Sequence, residues 1–217
     1  MKLRWKIWIV ASVAFFIYCA LGYVASRDVV RSLRLTPNKT HTVELFSFAE
    51  RRLGMDLWFK STSEHPRPEL GEWSPNKDNG NAIVFDNPGE PVDIEISANG
   101  ISRVYSAMPK NGQGAEIATR SLVPKQQTNE RWDLSLLHKQ SIPLKAGFST
   151  IDLKVLNVGQ SLQDENIEVY FHSELSFKTS YGSWVDSLWF YFLWPLILPA
   201  LILWGVILLV IRKINRA

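Results

Sequence analysis

The chain carries a single cysteine, Cys19, in 217 residues, so no intramolecular disulfide can staple it and cysteine usage does not fix its redox compartment. Its four histidines, His41, His65, His138 and His172, fall in no HxxxH or HExxH spacing. No G-x-S-x-G occurs. Gly159-Gln160-Ser161-Leu162-Gln163 lacks the second glycine of a nucleophile elbow, and Gly112-Gln113-Gly114 lacks the strand-to-helix frame of a phosphate loop. These absences leave no catalytic residue, metal-ligand set or cofactor to name, and the expectation is a protein that is not an enzyme.

Charge is missing from two long stretches. From Leu188 to Ile211 the chain reads LWFYFLWPLILPALILWGVILLVI, 24 residues without a charged side chain. At about 1.5 Å per residue, a helix of that length outspans a hydrocarbon core of roughly 30 Å. Trp184, Trp189, Tyr191 and Trp194 crowd its entrance as ring types that settle at headgroup level, and Arg212, Lys213 and Arg216 close it. A second run of 18 residues, Ile7 to Val24, follows Lys2, Arg4 and Lys6. Ala20-Leu21-Gly22 offers a small-x-small cleavage site, as in a secretory signal. The run is bulky throughout and of spanning length, so an uncleaved signal anchor is expected.

The net charge of +3 follows from this layout. Six cations flank the apolar runs; the other 18 meet all 21 acidic residues between them, leaving the middle at −3. The pI of about 9.0 therefore reflects topology, and no nucleic-acid partner is expected. By the preference for positive charge inside, both termini are expected in the cytoplasm of a bacterial cell, with the middle in the periplasm. The domain plan is a cytoplasmic N-terminus over 1–6, a transmembrane helix over 7–26 and a juxtamembrane helix over 27–36. An exported domain over 40–180, a second transmembrane helix over 187–211 and a basic tail over 212–217 complete it.

In the exported middle the apolar period changes to two. Val43 and Leu45, Leu57 and Phe59, Ile83 and Phe85, then Val92, Ile94 and Ile96 alternate with polar residues. Trp132, Leu134 and Leu136 follow, then Ile151, Leu153 and Val155, and finally Ile167 to Phe177, whose polar face carries His172. Turn signals such as Asn79-Gly80, Asn99-Gly100 and Asn157-Val158-Gly159 punctuate the runs. The pattern predicts a membrane-anchored all-β protein, an antiparallel β-sandwich of jelly-roll or immunoglobulin-like type between two transmembrane helices. Pro109 to Arg131 reads as irregular, with a short strand near Ile117, Leu122 and Val123.

One stretch carries a likeness. The run LKAGFSTIDLKV, Leu144 to Val155, resembles the hairpin near the end of jelly-roll, carbohydrate-binding-type domains. The resemblance covers about a dozen residues, implies a jelly-roll fold, and places no binding residue of that family on this chain.

Two groups stand out as partner-binding candidates. Arg27, Arg31 and Arg34 recur at helical spacing and would form a basic face toward lipid phosphates or a partner's acidic helix. Trp73 sits among Glu72, Ser74 and Pro75 in the proline-rich stretch Ser61 to Asn81, read as a long exposed loop where an indole could stack on a sugar or fill a partner's pocket. Trp58 and Trp132, in strand-like runs, are expected in the core. The expected partners are the lipid bilayer, a periplasmic protein or glycan, and a membrane-protein complex or second copy. Pro195 and Pro199 interrupt a helix ladder that a neighbouring helix would compensate. The functional expectation is a binding component of a cell-envelope assembly. The alternatives are an immunity or exclusion protein against a periplasm-acting toxin or phage component, and an accessory subunit of a transporter or glycan-polymerising complex.

Overall fold

Both apolar runs fold as helices, because a continuous apolar stretch has no polar face to present to a sheet and satisfies its backbone internally. In the computed structural model, which describes residues 3–48, 50–61, 67–77, 82–114, 116–125, 131–133, 140–173 and 184–214, α1 spans Leu3–Ala25 and α2 spans Trp184–Ile214. Leu3–Val24 and Leu193–Ile214 are each long and apolar enough to cross a membrane. The two helices belong to one compact unit and pack on each other: the Trp8 indole lies against Gly205, and its Nε1 donates to the Leu201 carbonyl at 2.9 Å. Trp194 is exposed on α2; the side chains of Trp184, Trp189 and Tyr191 lie outside the described set.

The second unit is all β. Its strands are β1 (Val29–Arg34), β2 (Thr40–Ser47), β3 (Arg51–Arg52), β4 (Met55–Lys60), β5 (Pro75–Lys77), β6 (Ala82–Phe85) and β7 (Val92–Ala98). β8 (Ile101–Ala107), β9 (Gly112–Gln113), β10 (Ile117–Pro124), β11 (Arg131–Asp133), β12 (Pro143–Leu144), β13 (Gly147–Val158) and β14 (Asn166–Phe171) follow. One antiparallel path runs β1-β14-β4-β10-β8-β7-β13-β2, with β9 beside β10; β11-β6-β5 and β12-β3 form two small sheets.

The two ends of the path, β1 and β2, are consecutive in sequence and joined by residues 35–39. That connection closes the sheet toward a barrel: the Leu35 amide donates to the Glu165 carbonyl at 2.9 Å and the Asn38 amide to that of Val155 at 2.8 Å. The fold is an antiparallel sandwich close to a barrel. Its core follows from the alternation, with Leu57, Phe59, Ile94, Ile96, Val155 and Val169 all buried on inward-facing positions. Full burial of each such side chain contributes about 1.5–3 kcal/mol. Asn99 and Gly100, both at positive φ, make the two-residue turn from β7 to β8 that the Asn-Gly signal predicts.

Four expectations are corrected. Residues 27–36 do not form a helix: Val29–Arg34 is a strand, because its whole length pairs with β14, a tertiary partner the local pattern cannot show. Arg31 and Arg34 are three apart on that strand and so point to opposite sides, and no helical basic face exists there. The Leu144–Val155 stretch is not a hairpin, since Leu144 pairs with Arg51 on β3 while Gly147–Val158 is one long strand between β2 and β7. Ser61 to Asn81 is not one irregular loop either: its described part holds a 3-10 turn, Pro68–Leu70, and the strand β5. Gly71 and Gly89 lock that segment down, because a Cβ on Gly71 would meet the Gly89 amide nitrogen at 2.6 Å. Lastly, Ile117–Pro124 is a full strand at the centre of the path.

Its disguise is Arg120, which takes an inward position between Ala118 and Leu122 and is only 1% exposed. The guanidinium donates to four backbone carbonyls, those of Met108 at 2.7 Å, Glu90 at 2.8 Å, Ala107 at 3.0 Å and Pro88 at 3.3 Å. Burial pulls its pKa down to about 10, opposed by the Glu90 charge. It remains protonated at neutral pH and ties the 88–90 and 107–108 segments to the sheet.

Candidate functional site

The chain enters the sandwich at Asp28 and leaves it at Ser173, at one and the same end: the Ser173 amide donates to Asp28 Oδ1 at 2.8 Å. The opposite end is reached by following β4 to Lys60, β14 back to Asn166 and β10 back to Ile117, as their registers require. There a cleft of about 700 Å3 opens between the strand ends. Trp58, Lys60, Arg67, Glu116, Asn166 and Glu168 contribute to its walls, and Phe59 and Ile167 lie beneath. No sequence motif marks it, because its residues come from four separated segments.

Arg67 builds one wall. Its Nη1 and Nη2 donate to the two carboxylate oxygens of Glu165 at 2.9 and 2.8 Å, and its Nε donates to Glu69. Nη1 also caps the Lys60 carbonyl at 2.9 Å, and the guanidinium carbon stands 6.0 Å from the Phe59 ring centroid. A forked, two-pronged Arg–carboxylate pair fixes orientation as well as charge. The Glu165 hydrogen bonds raise the Arg67 pKa further above its already high value, against desolvation. Burial alone would raise the Glu69 carboxyl, but hydrogen bonds from Arg67 and from its own backbone outweigh that and hold it below the usual range. The wall is therefore charged, paired and rigid.

The other wall continues onto the outer face of β4 and β14. Trp58 is directly opposite Glu168 in the register, and its ring stacks on Tyr170 at 4.5 Å between centroids and 15° between planes. Trp58 is thus an outward, half-buried residue, and the expectation that it belongs to the core is corrected. The Tyr170 hydroxyl donates to Asp28; burial first, and that carboxylate second, raise its pKa. His172 lies beyond it, buried, with Nε2 3.1 Å from Asp56 Oδ2. Ser121 donates to the other Asp56 oxygen at 2.6 Å. Serine and histidine both engage the carboxylate and not each other, so the arrangement is a polar brace across β14, β4 and β10. Among the described residues, no group of three His, Cys, Asp or Glu side chains is placed to hold a metal ion.

The remaining predicted residues are dispersed. Trp73 is 43% exposed and leans on Phe85, ring centroids 5.0 Å apart at 53°. The backbone of Trp132 is in β11, and its side chain lies outside the described set. Arg27 stacks over Tyr23 at 4.6 Å, Arg31 is exposed, and Arg34 pairs with Asp164 at 3.6 Å. His65 and His138 fall outside the described residues. What sequence reasoning missed is the cleft. The one available signal was the polar face of β14, where Glu168 and Tyr170 alternate with buried Val169 and Phe171.

No protein-family model matches the chain. No curated protein matches it. One solved structure, the crystal structure of a protein from Sulfurospirillum deleyianum, is similar over 68% of this chain and 97% of its own, at 11% identity and a TM-score of 0.41, a likeness too loose to assign a family.

Proposed function

We propose that the protein is a two-span inner-membrane protein of a bacterium, with both termini in the cytoplasm and a periplasmic sandwich that captures a protein or glycan partner without catalysis. The observation that carries this reading is the position of the cleft. It opens at the end of the sandwich opposite Asp28 and Ser173, where the chain enters and leaves. An aromatic ring beside a preorganised set of charges is the mixture that binding surfaces use, apolar area for affinity and fixed polar groups for selection. Trp73 comes from the same 67–77 segment that supplies Arg67, and serves as an outlying contact. The six cations flanking the apolar runs support the orientation.

The test is photo-cross-linking in cells from benzoylphenylalanine placed at Lys60 or Glu168 of the full-length protein. The reading expects one discrete adduct shared by both positions and absent when the probe stands at Thr42, on the outer face of β2. Adducts equal at all three positions, or at none, would overturn it.

A further inference from the structure

The outer face of the β2–β13 pair changes character along its length. Thr42, Glu44, Thr150 and Asp152 are exposed and polar, and Thr42 donates to Asp152 at 2.7 Å. At the far end of the same face the residues become aromatic. Phe46 and Phe148 are direct cross-strand partners, 44% and 82% exposed, and Phe48, 37% exposed, stands edge-on to Phe46 at 4.9 Å. Phe148 tilts on Phe46 at 5.0 Å. An exposed phenylalanine with that much surface in water forgoes the burial energy that the core residues gain.

Arg51 shows which end this is. Its Nε donates to Ser47, next to Phe46 and Phe48, and its Nη1 donates to the His172 carbonyl, next to Ser173. The aromatic cluster therefore lies at the end where the chain enters and leaves, away from the cleft. Three residues separate the last residue of α1, Ala25, from Val29 of β1, and ten separate Ser173 from Trp184. Such tethers keep that end within a few residues' reach of any bilayer the helices cross.

We infer that Phe46, Phe48 and Phe148 form a membrane-interface patch that seats in the lipid headgroup and upper acyl zone. The occupant is the bilayer and not a free protein, because the patch is at the tethered end and the polarity falls toward that end only. Lys145 and Glu50 flank it with one charge of each sign, and Arg51 and Arg52 are engaged within the domain, so the attraction is apolar and anionic lipid is not required. The inference rests on the two-span reading.

The test uses the full-length protein with Cys19→Ala and one new cysteine, Phe148→Cys, Lys39→Cys or Val13→Cys, labelled with bimane and reconstituted in phosphatidylcholine vesicles. Doxyl-labelled lipid should quench the probe at 148 at least about twofold more than at 39, because interfacial insertion of roughly 5–10 Å brings a probe within reach of the acyl-chain quencher. The probe at 13, on α1, should be quenched as well. Quenching at 13 but not at 148 would overturn the patch while leaving the spans intact. No quenching at 13 would overturn the two-span reading and the patch with it. Disulfide formation between two unlabelled Phe148→Cys chains under a thiol oxidant, two thiols losing two hydrogens to the oxidant, would assign the patch to a second copy and overturn the lipid assignment.

Discussion

The Trp8 indole Nε1 donates to the carbonyl oxygen of Leu201, 193 residues away, at 2.9 Å, while its ring lies flush against Gly205. A small residue facing a large one lets two helix backbones approach closely, and in hydrocarbon that close packing stands in for the hydrophobic effect. A Cβ at Gly205 would sit 3.1 Å from the nearest carbon of Trp8. Gly205→Leu should therefore separate the helices and lower the melting temperature in mild detergent by several degrees. Trp8→Phe, which keeps an aromatic ring but loses the indole N–H and part of the ring contact, should cost less than Gly205→Leu, with the lost hydrogen bond alone worth about 0.6–1.7 kcal/mol. Equal tolerance of both substitutions would show that this contact does not hold the helices together.

Arg120 should be the costliest single position in the sandwich. Arg120→Met removes the donor from the carbonyls of Met108, Ala107, Glu90 and Pro88, and the two buried ones, Met108 and Ala107, cost about 1–3 kcal/mol each when left without a partner. Arg120→Lys keeps the charge but cannot fork to four acceptors, and should recover less than half of the loss. The urea midpoint of each variant reads this directly. A midpoint within experimental error of the parent would contradict the structural role given to Arg120.

That same arginine explains much of what the sequence hid. A strand whose inward positions read Ala118, Arg120 and Leu122 breaks the apolar alternation, so β10 read as no more than a short strand in an irregular stretch although it lies mid-path. β1 was obscured by the opposite accident: arginines at 27, 31 and 34 imitate a helical period, and only pairing with β14 decides for the strand. β2, β4, β7, β13 and β14 were legible, because clean alternation is a direct imprint of one buried face. The cleft was not, since Arg67, Lys60 and Glu168 meet through pairings between distant segments. The two apolar helices were plain from length alone, though both extend a few residues beyond the expected bounds, α1 starting at Leu3 and α2 at Trp184.

Acid should loosen the cleft wall. The Glu69 pKa is depressed in the folded state, so its stabilising contribution is fully present above the ordinary glutamate value of 4.5 and is lost as pH falls through the lower folded value. The midpoint of unfolding should therefore drop between neutral pH and pH values below 4.5, and Glu69→Gln should flatten part of that drop. A Glu69→Gln variant with the parental pH profile would show that the Arg67–Glu69 contact does not contribute.

Trp73 is half supported by Phe85 and half open. Trp73→Ala should cost about 0.5–1.5 kcal/mol for the lost ring pair, plus its buried area. Loss of cross-linking at Lys60 in that variant would extend the binding surface to the 67–77 segment, whereas unchanged cross-linking confines it to the cleft.

An exported sandwich held by two spans is the central proposal. Alkaline phosphatase, which folds to an active enzyme only outside the cytoplasm, tests this when fused to the chain after Phe177 or after Ala217. Activity is expected at Phe177 and none at Ala217. Activity at Ala217 with none at Phe177 would contradict it.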